Sequence, residues 1–282
     1  MNAMVSRFLR FPGGKSRALT LSYDDGVQQD LRLIEILKKY AIKCTFNINA
    51  GLFPPEDKVF PPSQIHRRMK RSEILNAYPE DICEVACHGY THPWLEKCDP
   101  ANATCEVLED RRELEAMFGR RIQGMAYPYG TYSDQVVGIL KNCGIRYART
   151  VVSTEKFDMP GDWLRLPATC HHKNPRLIEL ADQFLDDSRY PAPRLFYLWG
   201  HSYEFDMDQN WDIIEQFAEK MSGHDDVFYG TNMEIYDTWL DFTRLESTAD
   251  GHQIFNPNAR TVWIADRNSK VYKIAPGQTI NL

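Results

Sequence analysis

The sequence lacks an excess of basic residues. Its 282 residues contain 33 Lys and Arg against 39 Asp and Glu, which gives a formal net charge of −6. A broad basic surface that would attract nucleic acid is therefore not expected. The one basic run, "HRRMKR" at 66–71, precedes "SEIL" and is interpreted as the solvated start of a helix. The charge balance thus predicts no nucleic-acid partner.

Long apolar stretches and secretory features are also missing. No run is long enough to cross a bilayer. The first 19 residues include basic ones but show neither the apolar region nor the cleavage site of a secretory signal. Seven cysteines are an odd number, and no Cys-x-x-Cys pair occurs, so a disulfide scaffold is not indicated. Together these absences favour a cytoplasmic protein with no membrane partner.

No G-x-G-x-x-G follows the first strand-like segment, which argues against a dinucleotide-binding protein. Strand-like and helix-like segments alternate up to about residue 230. The pattern of "RALTLSY" predicts a strand, and that of "QQDLRLIEILKKYA" predicts the helix that follows it. Such alternation predicts a parallel sheet with right-handed crossovers. About seven units predict an α/β fold with a distorted (β/α) barrel over residues 1–244. Short strands and turns predict a small β-rich C-terminal extension over 245–282, with "ADRNSKVY" as a hairpin.

Four polar clusters directly follow predicted strands. They are "DDG" at 24–26, "HGYTH" at 88–92, "PYG" at 128–130 and "GHSYE" at 200–204. In barrels built from β/α units, functional residues collect at the carboxyl ends of the strands. The sequence therefore predicts that these clusters converge on one site.

The "HGYTH" cluster has the side chains of a metal site but not a complete set. A spacing of four places His88 and His92 on the same side of a helical turn. Unlike H-E-x-x-H, it has no Glu between the histidines to act as a base. Alone, the pair favours two unrelated polar loop residues over a metal site. If a metal binds here, a third ligand and a base must come from elsewhere, and Asp24 and Asp25 could supply one of each.

Taken together, "LTLSYDDG", "HGYTH" and "AYPYG" resemble the motifs of the polysaccharide deacetylase family. This family is the fourth carbohydrate-esterase family, with chitooligosaccharide deacetylase homology, and the resemblance runs from about residue 18 to residue 230. It implies a distorted (β/α) barrel that removes an acetyl group from an N- or O-acetylated carbohydrate. The implied reaction is metal-dependent, with metal-bound water as the nucleophile.

The same resemblance implies a set of metal ligands. It assigns Asp25, His88 and His92 to one divalent metal ion. Zinc is favoured, since two imidazoles and one carboxylate suit it, but Co, Mn, Fe or Ni also accept these ligands.

Three further roles follow from the resemblance. Asp24 is implied as the general base, the backbone N–H of Tyr129 as the donor to the oxyanion, and His201 as the general acid.

The chain departs from the family pattern at two positions. Where the family has an Arg that pairs with the base, this sequence has Ala126. Arg149 or Arg165, both on later predicted strands, could supply the missing cation, and each is equally interpretable as an ordinary salt bridge. The family's Leu before the acid histidine is replaced here by Gly200.

Other polar and aromatic residues have less defined interpretations. In "PATCHH", His171 and His172 lie outside the family pattern, and either one of them lines the pocket or both are hydrogen-bonded loop histidines. Four aromatic side chains at strand ends could form a wall for a sugar ring or could belong to the core. They are Tyr127, Tyr129, Trp199 and Tyr203.

The leading hypothesis has two alternatives. The implied substrate is an acetylated amino-sugar or a related small molecule. The altered motifs also allow a metal-dependent hydrolase of a small non-sugar amide, of the ureide or formamide type. A catalytically silent carbohydrate-binding protein is the third hypothesis. The sequence does not indicate an oligomeric state.

Overall fold

The computed structural model describes residues 7–186 and 192–282. Two predictions depend in part on the first six residues, which lie outside this range. They are the absence of a secretory signal and the start of the first domain at residue 1. In chain order the described strands are β1 (Phe8–Arg10), β2 (Arg17–Asp24), β3 (Cys44–Ile48), β4 (Cys83–Cys87), β5 (Gly124–Ala126), β6 (Tyr147–Ser153), β7 (Leu166–Ala168), β8 (Cys170–His171), β9 (Arg194–Gly200), β10 (Val227–Tyr229), β11 (Glu246–Ser247), β12 (Gln253–Phe255), β13 (Val262–Ala265), β14 (Val271–Ile274) and β15 (Thr279–Asn281). The α-helices are α1 (Asp30–Lys39), α2 (Arg71–Ala77), α3 (Pro100–Phe118), α4 (Asp134–Asn142), α5 (Leu177–Asp186), α6 (Tyr203–Met207), α7 (Trp211–Met221) and α8 (Asn232–Thr243).

A parallel sheet forms the centre of the molecule. Its strands follow the order β7-β6-β5-β4-β3-β2-β9-β8, and β10 also pairs with β2. Every residue of β2 is buried, as expected of a central strand covered on both faces. The register places Asp24 beside Asn47 and Ala126 beside Arg149. The predicted α/β class with a parallel sheet of about seven strands is confirmed.

The two ends of this strand order meet in one short segment. Only Thr169 separates β7 from β8. β7 pairs with β6, while β8 pairs with β9 on the opposite side. If residues 166–171 are counted as one irregular strand, that strand pairs with β6 on one side and with β9 on the other, so the strand order closes on itself. The sheet thus curves in the manner of a distorted barrel, and the carboxyl ends of its parallel strands lie together at one end.

The C-terminal strands form two small antiparallel sheets. β13 and β14 form the predicted hairpin, and β1 from the beginning of the chain pairs with β13. The second sheet has the order β11-β12-β15. A separate apolar cluster lies between them; it contains Leu245, Ile254, Val262, Ile264 and Ile274. The division at residue 245 stays a prediction, and β1 had not been predicted as part of this sheet.

The seven cysteines are free thiols, and five of them are buried. Within residues 7–186 and 192–282, no helix combines the length and the apolar composition that crossing a bilayer requires.

Asp30, at the start of α1, is a buried carboxyl group that gives a pH-dependent stability. Its two oxygens accept hydrogen bonds from Ser202 Oγ at 2.5 Å and Tyr78 Oη at 2.7 Å. Burial raises the pKa of Asp30 to about 7. Since folding raises this pKa, the folded state binds the proton more tightly, and this contribution to stability is fully present below about pH 4 and is lost as pH rises to about 7. The full change is at most about 4 kcal/mol.

We expect Asp30→Asn to remove this pH dependence. An amide keeps a hydrogen bond to Ser202 and carries no charge, so the free energy of unfolding in urea should fall less than in the wild type between about pH 5 and about pH 8. The matched control is Asp57→Asn, at an exposed aspartate. If Asp30→Asn retains the wild-type pH dependence, Asp30 is not the group responsible.

Candidate active site

The end of β2 turns sharply and separates two adjacent carboxylates. Asp25 has φ +82° and Gly26 has φ +63°. A non-glycine residue in this region costs about 1–3 kcal/mol and persists only where the surroundings enforce it. The turn directs Asp24 toward Arg149 and Asp25 toward Arg68. The two side chains can therefore serve different partners.

Asp24 is a buried carboxylate held by one amide and one guanidinium. Its Oδ1 accepts from Asn47 Nδ2 at 2.8 Å, and its Oδ2 accepts from Arg149 Nη2. The Nε2 atoms of His88 and His201 each lie 3.8 Å from Oδ2. Burial alone would raise the pKa of Asp24, but Arg149 and the two histidines together lower it below its usual value. Asp24 is thus ionised and faces both imidazoles.

Arg149 is the cation that pairs with Asp24, a role that the sequence left open between Arg149 and Arg165. Its side chain is completely buried. Ala126, where the family has an Arg, pairs in register with Arg149 on the neighbouring strand. The guanidinium therefore reaches Asp24 from one strand further along the sheet.

Arg165, the other arginine considered, does not contact Asp24. It pairs with the surface aspartates Asp134 and Asp162. The interpretation of Arg165 as partner of the base was wrong, because Arg165 ends a short 3₁₀ turn before β7 and projects outward.

Asp25, His88 and His92 form a compact cluster. Each offers one ligand atom, and these atoms lie within 4.8 Å of one another. His88 Nδ1 donates to the carbonyl oxygen of Ala126 at 2.8 Å, which leaves Nε2 with its lone pair directed into the cluster. The expected helical turn is absent between the histidines. They converge through a turn in which Gly89 and His92 have φ of +74° and +58°.

The protonation states of this cluster suit a divalent metal ion. Burial lowers the pKa of His88, and burial lowers that of His92 to about 4, so both imidazoles are neutral at pH 7. Burial alone would raise the pKa of Asp25, but the hydrogen bond from His66 and the charge of Arg68 hold it well below its usual range. Two neutral imidazoles and one ionised carboxylate are the donors of a catalytic metal site with an open position. The residues present therefore fit a metal ion.

Two residues of the basic run support Asp25. Arg68 Nη2 lies 2.6 Å from Asp25 Oδ1, and His66 Nε2 lies 3.1 Å from Oδ2. A carboxylate oxygen has two lone pairs, so these contacts leave capacity for a metal. The interpretation of "HRRMKR" as the solvated start of a helix was wrong. Residues before α2 run beside the end of β2, where Arg68 bridges to Val27, and charge alone gave no signal for this position.

Asn49, after β3, connects this support to the histidine turn. Its Nδ2 donates to the carbonyl oxygens of His88 and Gly89 at 2.6 and 2.7 Å, and its Oδ1 accepts from Arg68 at 2.7 Å. The backbone N–H of His88 donates to buried Asp110 at 2.8 Å. Neither residue was predicted from the sequence, although Asn49 directly follows a buried strand, as the predicted site residues do.

His201 follows β9 and faces the carboxylates. Its Nδ1 lies 3.3 Å from Glu204 Oε2. Burial lowers the pKa of His201, but the hydrogen bond to Glu204 and the charges of Asp24 and Asp25 outweigh burial, so the net pKa is raised. Glu204 belongs to the predicted "GHSYE" cluster, but no role was predicted for it. Its position three residues after His201, in the first turn of α6, is a signal that could have identified it.

Tyr129 lies in a strained turn beside the metal-ligand candidates. Its φ is +57° and its side chain is 45% exposed. The ring stacks on Trp94 with centroids 3.8 Å apart and meets His92 edge-on at 4.5 Å. With Asp25 and His92, this makes three positive-φ non-glycine residues at the site, a concentration typical of functional sites.

The predicted aromatic wall is only partly formed. Tyr127 is buried and donates its hydroxyl to Leu164 O, so it belongs to the core. Trp199 is also buried, and the Arg149 guanidinium lies 4.4 Å from the centre of its ring. It therefore packs against the cation and exposes little surface to a ligand. Trp94, which the sequence analysis did not select, is 42% exposed.

The fold and the site define an α/β-barrel protein whose polar side chains converge at the carboxyl ends of its strands, as in barrel enzymes. Comparison with known proteins finds the same likeness. Residues 12–148 match the model of the family named Polysaccharide deacetylase. The resemblance to this family that was inferred from the three motifs is confirmed.

Curated relatives resemble part of the chain in sequence, and a solved structure resembles it in fold. The chain is 25% identical over 153 residues to a chitooligosaccharide deacetylase of Bradyrhizobium sp. (strain ANU 289), covering 53% of the chain and 60% of that protein. It is 24% identical over 147 residues to one of Rhizobium leguminosarum bv. phaseoli, covering 51% and 58%. The match thus spans less than two thirds of these relatives. A candidate polysaccharide deacetylase from Mycobacterium smegmatis has the same fold, with a TM-score of 0.57, 15% identity and coverage of 82% and 93%.

Proposed function

We propose that this protein is a metal-dependent hydrolase that removes an acetyl group from an N- or O-acetylated carbohydrate. One observation carries the proposal. The ligand atoms of Asp25, His88 and His92 lie within 4.8 Å of one another, while ionised Asp24 and His201 lie 3.8 Å apart beside them. Three ligands, a base and an acid are the groups that hydrolysis of an amide requires.

Asp25, His88 and His92 would hold the metal ion. Zinc is favoured, and Co, Mn, Fe or Ni suit the same ligands. When bound, the ion would polarise the acetyl carbonyl and lower the pKa of water. Arg68 and His66 orient Asp25, and Ala126 O orients His88, which is the support that metal ligands usually receive.

The remaining residues move protons and hold charge. Asp24 takes a proton from the attacking water as the oxygen bonds to the acetyl carbon, and Arg149 keeps Asp24 ionised between turnovers. The N–H of Tyr129 donates to the carbonyl oxygen as it gains charge. His201 gives a proton to the departing nitrogen as its bond to carbon breaks. Water and the acetylated amine thus give acetic acid and an amine, which leave as acetate and the ammonium form once one proton passes from the acid to the amine. The proton taken up by Asp24 replaces the one that His201 gave, so both groups return to their starting states.

The substrate we favour is a small acetylated amino-sugar or a sugar conjugate. The relatives are named for chitooligosaccharides, whereas the cytoplasmic location predicted from the cysteines would place this chain with small soluble substrates. The first test is a screen of acetylated chitooligosaccharides, amino-sugars and sugar conjugates with added Zn, Co or Mn. Released acetate that requires the metal supports the proposal.

The same screen separates the alternatives. Small ureides and formamides are included, and release of ammonia or formate without acetate would favour the non-sugar amide hydrolase. Glycan binding without any released product would favour a catalytically silent protein. Asp24→Asn is the matched control for every substrate, because a product that this variant releases at the wild-type rate does not come from this site.

A further inference from the structure

Glu204 is surrounded by three histidines and a lysine. Its Oε2 lies 3.2 Å from His171 Nε2, 3.4 Å from His172 Nε2 and 3.3 Å from His201 Nδ1. Its Oε1 lies 3.1 Å from Lys173 Nζ. The run 171–173, which the family resemblance left unexplained, therefore converges on one carboxylate next to His201.

The carboxylate is ionised despite its burial. Its side chain is 13% exposed, and a buried charge needs partners. Burial alone would raise the pKa of Glu204, but hydrogen bonds from His171 and His201 hold it well below its usual range. A fixed negative charge thus lies beside Nδ1 of His201.

The hydrogen bonds indicate where the histidine protons lie. The backbone N–H of Lys173 donates to His171 Nδ1 at 3.1 Å. This nitrogen has no proton, so in a neutral His171 the proton is on Nε2 and points at Glu204. The ligand atoms of His171, His201 and Glu204 also lie within 4.8 Å of one another. However, a protonated Nε2 cannot bind a metal, and the contacts favour proton donation to Glu204 over a second metal site.

The strand ends are shaped to hold this cluster. A Cβ at Gly200 would lie 2.0 Å from Nδ1 of His172, so the His172 ring fills the space that a larger residue before His201 would take. His172 is 2% exposed, and its ring stacks on Phe205 with centroids 4.2 Å apart. The departure at Gly200 and the additional histidines are therefore parts of one packing arrangement.

We propose that Glu204, held by His171 and Lys173, is a positioning residue for His201. It accepts the Nδ1–H of His201 and turns Nε2 toward Asp24, at 3.8 Å, so that Nε2 carries the proton for the leaving group. This inference rests on the proposed function, because it assumes that His201 is the general acid.

The charged groups around His201 give the expected pH dependence. The carboxylates of Glu204, Asp24 and Asp25 favour its protonated form, and the His171 and Tyr203 rings lie beside it, with centroids 6.4 and 5.4 Å away. Removing the Glu204 charge therefore lowers the pKa of His201. Below the lowered pKa, His201 is protonated in both proteins and the variant loses little. The loss then grows as pH rises toward the wild-type pKa.

The test compares Glu204→Gln with the wild type and with Glu219→Gln, at an exposed glutamate of α7. Imidazole ¹⁵N spectra, assigned with His201→Gln, report the pKa and the tautomer of His201 without a substrate. We expect Glu204→Gln to lower this pKa by about one unit or more and to reduce the Nδ1–H population. Unchanged pKa and tautomer would overturn the proposal. In turnover assays kcat should fall about tenfold or more near pH 8, much less near pH 5.5, with KM little changed.

Two further measurements keep the role of Glu204 testable if this variant is unstable or the cluster binds metal. If Glu204→Gln does not fold, His171→Gln is used, since it should shift the His201 signals in the same direction but less; no shift would overturn the proposal. If the wild type binds two ions per chain and Glu204→Gln binds one, the cluster is a metal site and the proposal is wrong. If no substrate releases acetate, the proposed function fails, whereas the ¹⁵N result still decides the role of Glu204.

Discussion

Replacing Asp24 by asparagine is expected to lower kcat about 10²- to 10⁴-fold, the contribution typical of a general base. The amide has nearly the same shape but cannot accept the proton of the attacking water. KM should change little, because Asp24 is buried under the site and paired with Arg149. The measurement is steady-state acetate release from the best substrate of the screen, together with thermal unfolding to show that the variant is folded.

The control for this prediction is Asp134→Asn, which changes a surface aspartate and should retain wild-type turnover. If Asp24→Asn keeps more than about a tenth of the wild-type kcat, Asp24 is not the base. The proton would then have to go to another group at the site.

The second large effect is expected for Arg149→Met. Breaking a buried ion pair leaves an uncompensated charge and costs about 3–5 kcal/mol. Arg149 is completely buried, and its guanidinium contacts both Asp24 and the Trp199 ring. We therefore expect the free energy of unfolding in urea to fall by this amount, and kcat to fall with it because Asp24 loses its counter-ion.

Arg165→Met is the matched control. Arg165 also pairs with two carboxylates, but at the surface, where such pairs contribute about 1 kcal/mol or less. The double variant Asp24→Asn/Arg149→Met should be more stable than Arg149→Met alone, because it no longer buries an unpaired charge. Equal costs for Arg149→Met and Arg165→Met would contradict the buried pair.

The repeating units of the barrel were predictable because they depend on local pattern. The strand-like run before Asp24 and the amphipathic segment after it give β2 and α1 without knowledge of the rest of the chain. The polar residues after these strands were also predictable, since the carboxyl ends of parallel strands meet at one edge. This argument selected Asp24, Asp25, His88 and His201 before their positions were known.

Other features depend on pairings between distant segments. β1 pairs with β13, about 250 residues later, and no local pattern specifies such a partner. The choice between Arg149 and Arg165 depended on register, because only Arg149 lies beside Ala126. His66 and Arg68 reach Asp25 through a loop whose path follows from tertiary contacts alone.

Some local signals were present but not used. Helix α8 was not predicted, although Thr231 and Glu234 form a capping box at its start, a recognised helix signal. The spacing of His88 and His92 was interpreted as helical, whereas Gly89 in "HGYTH" allows the positive-φ turn that is observed. The two histidines do lie together with Asp25, but the predicted helical geometry between them was wrong.

We infer that the two adjacent aspartates have different tasks, Asp25 binding the metal and Asp24 taking the proton. Metal content after loading and dialysis tests this most directly in the isosteric variants Asp24→Asn and Asp25→Asn. We expect about one divalent ion per chain in the wild type and in Asp24→Asn, and far less in Asp25→Asn. The opposite pattern in the two variants, or a wild type that retains no ion, would contradict it.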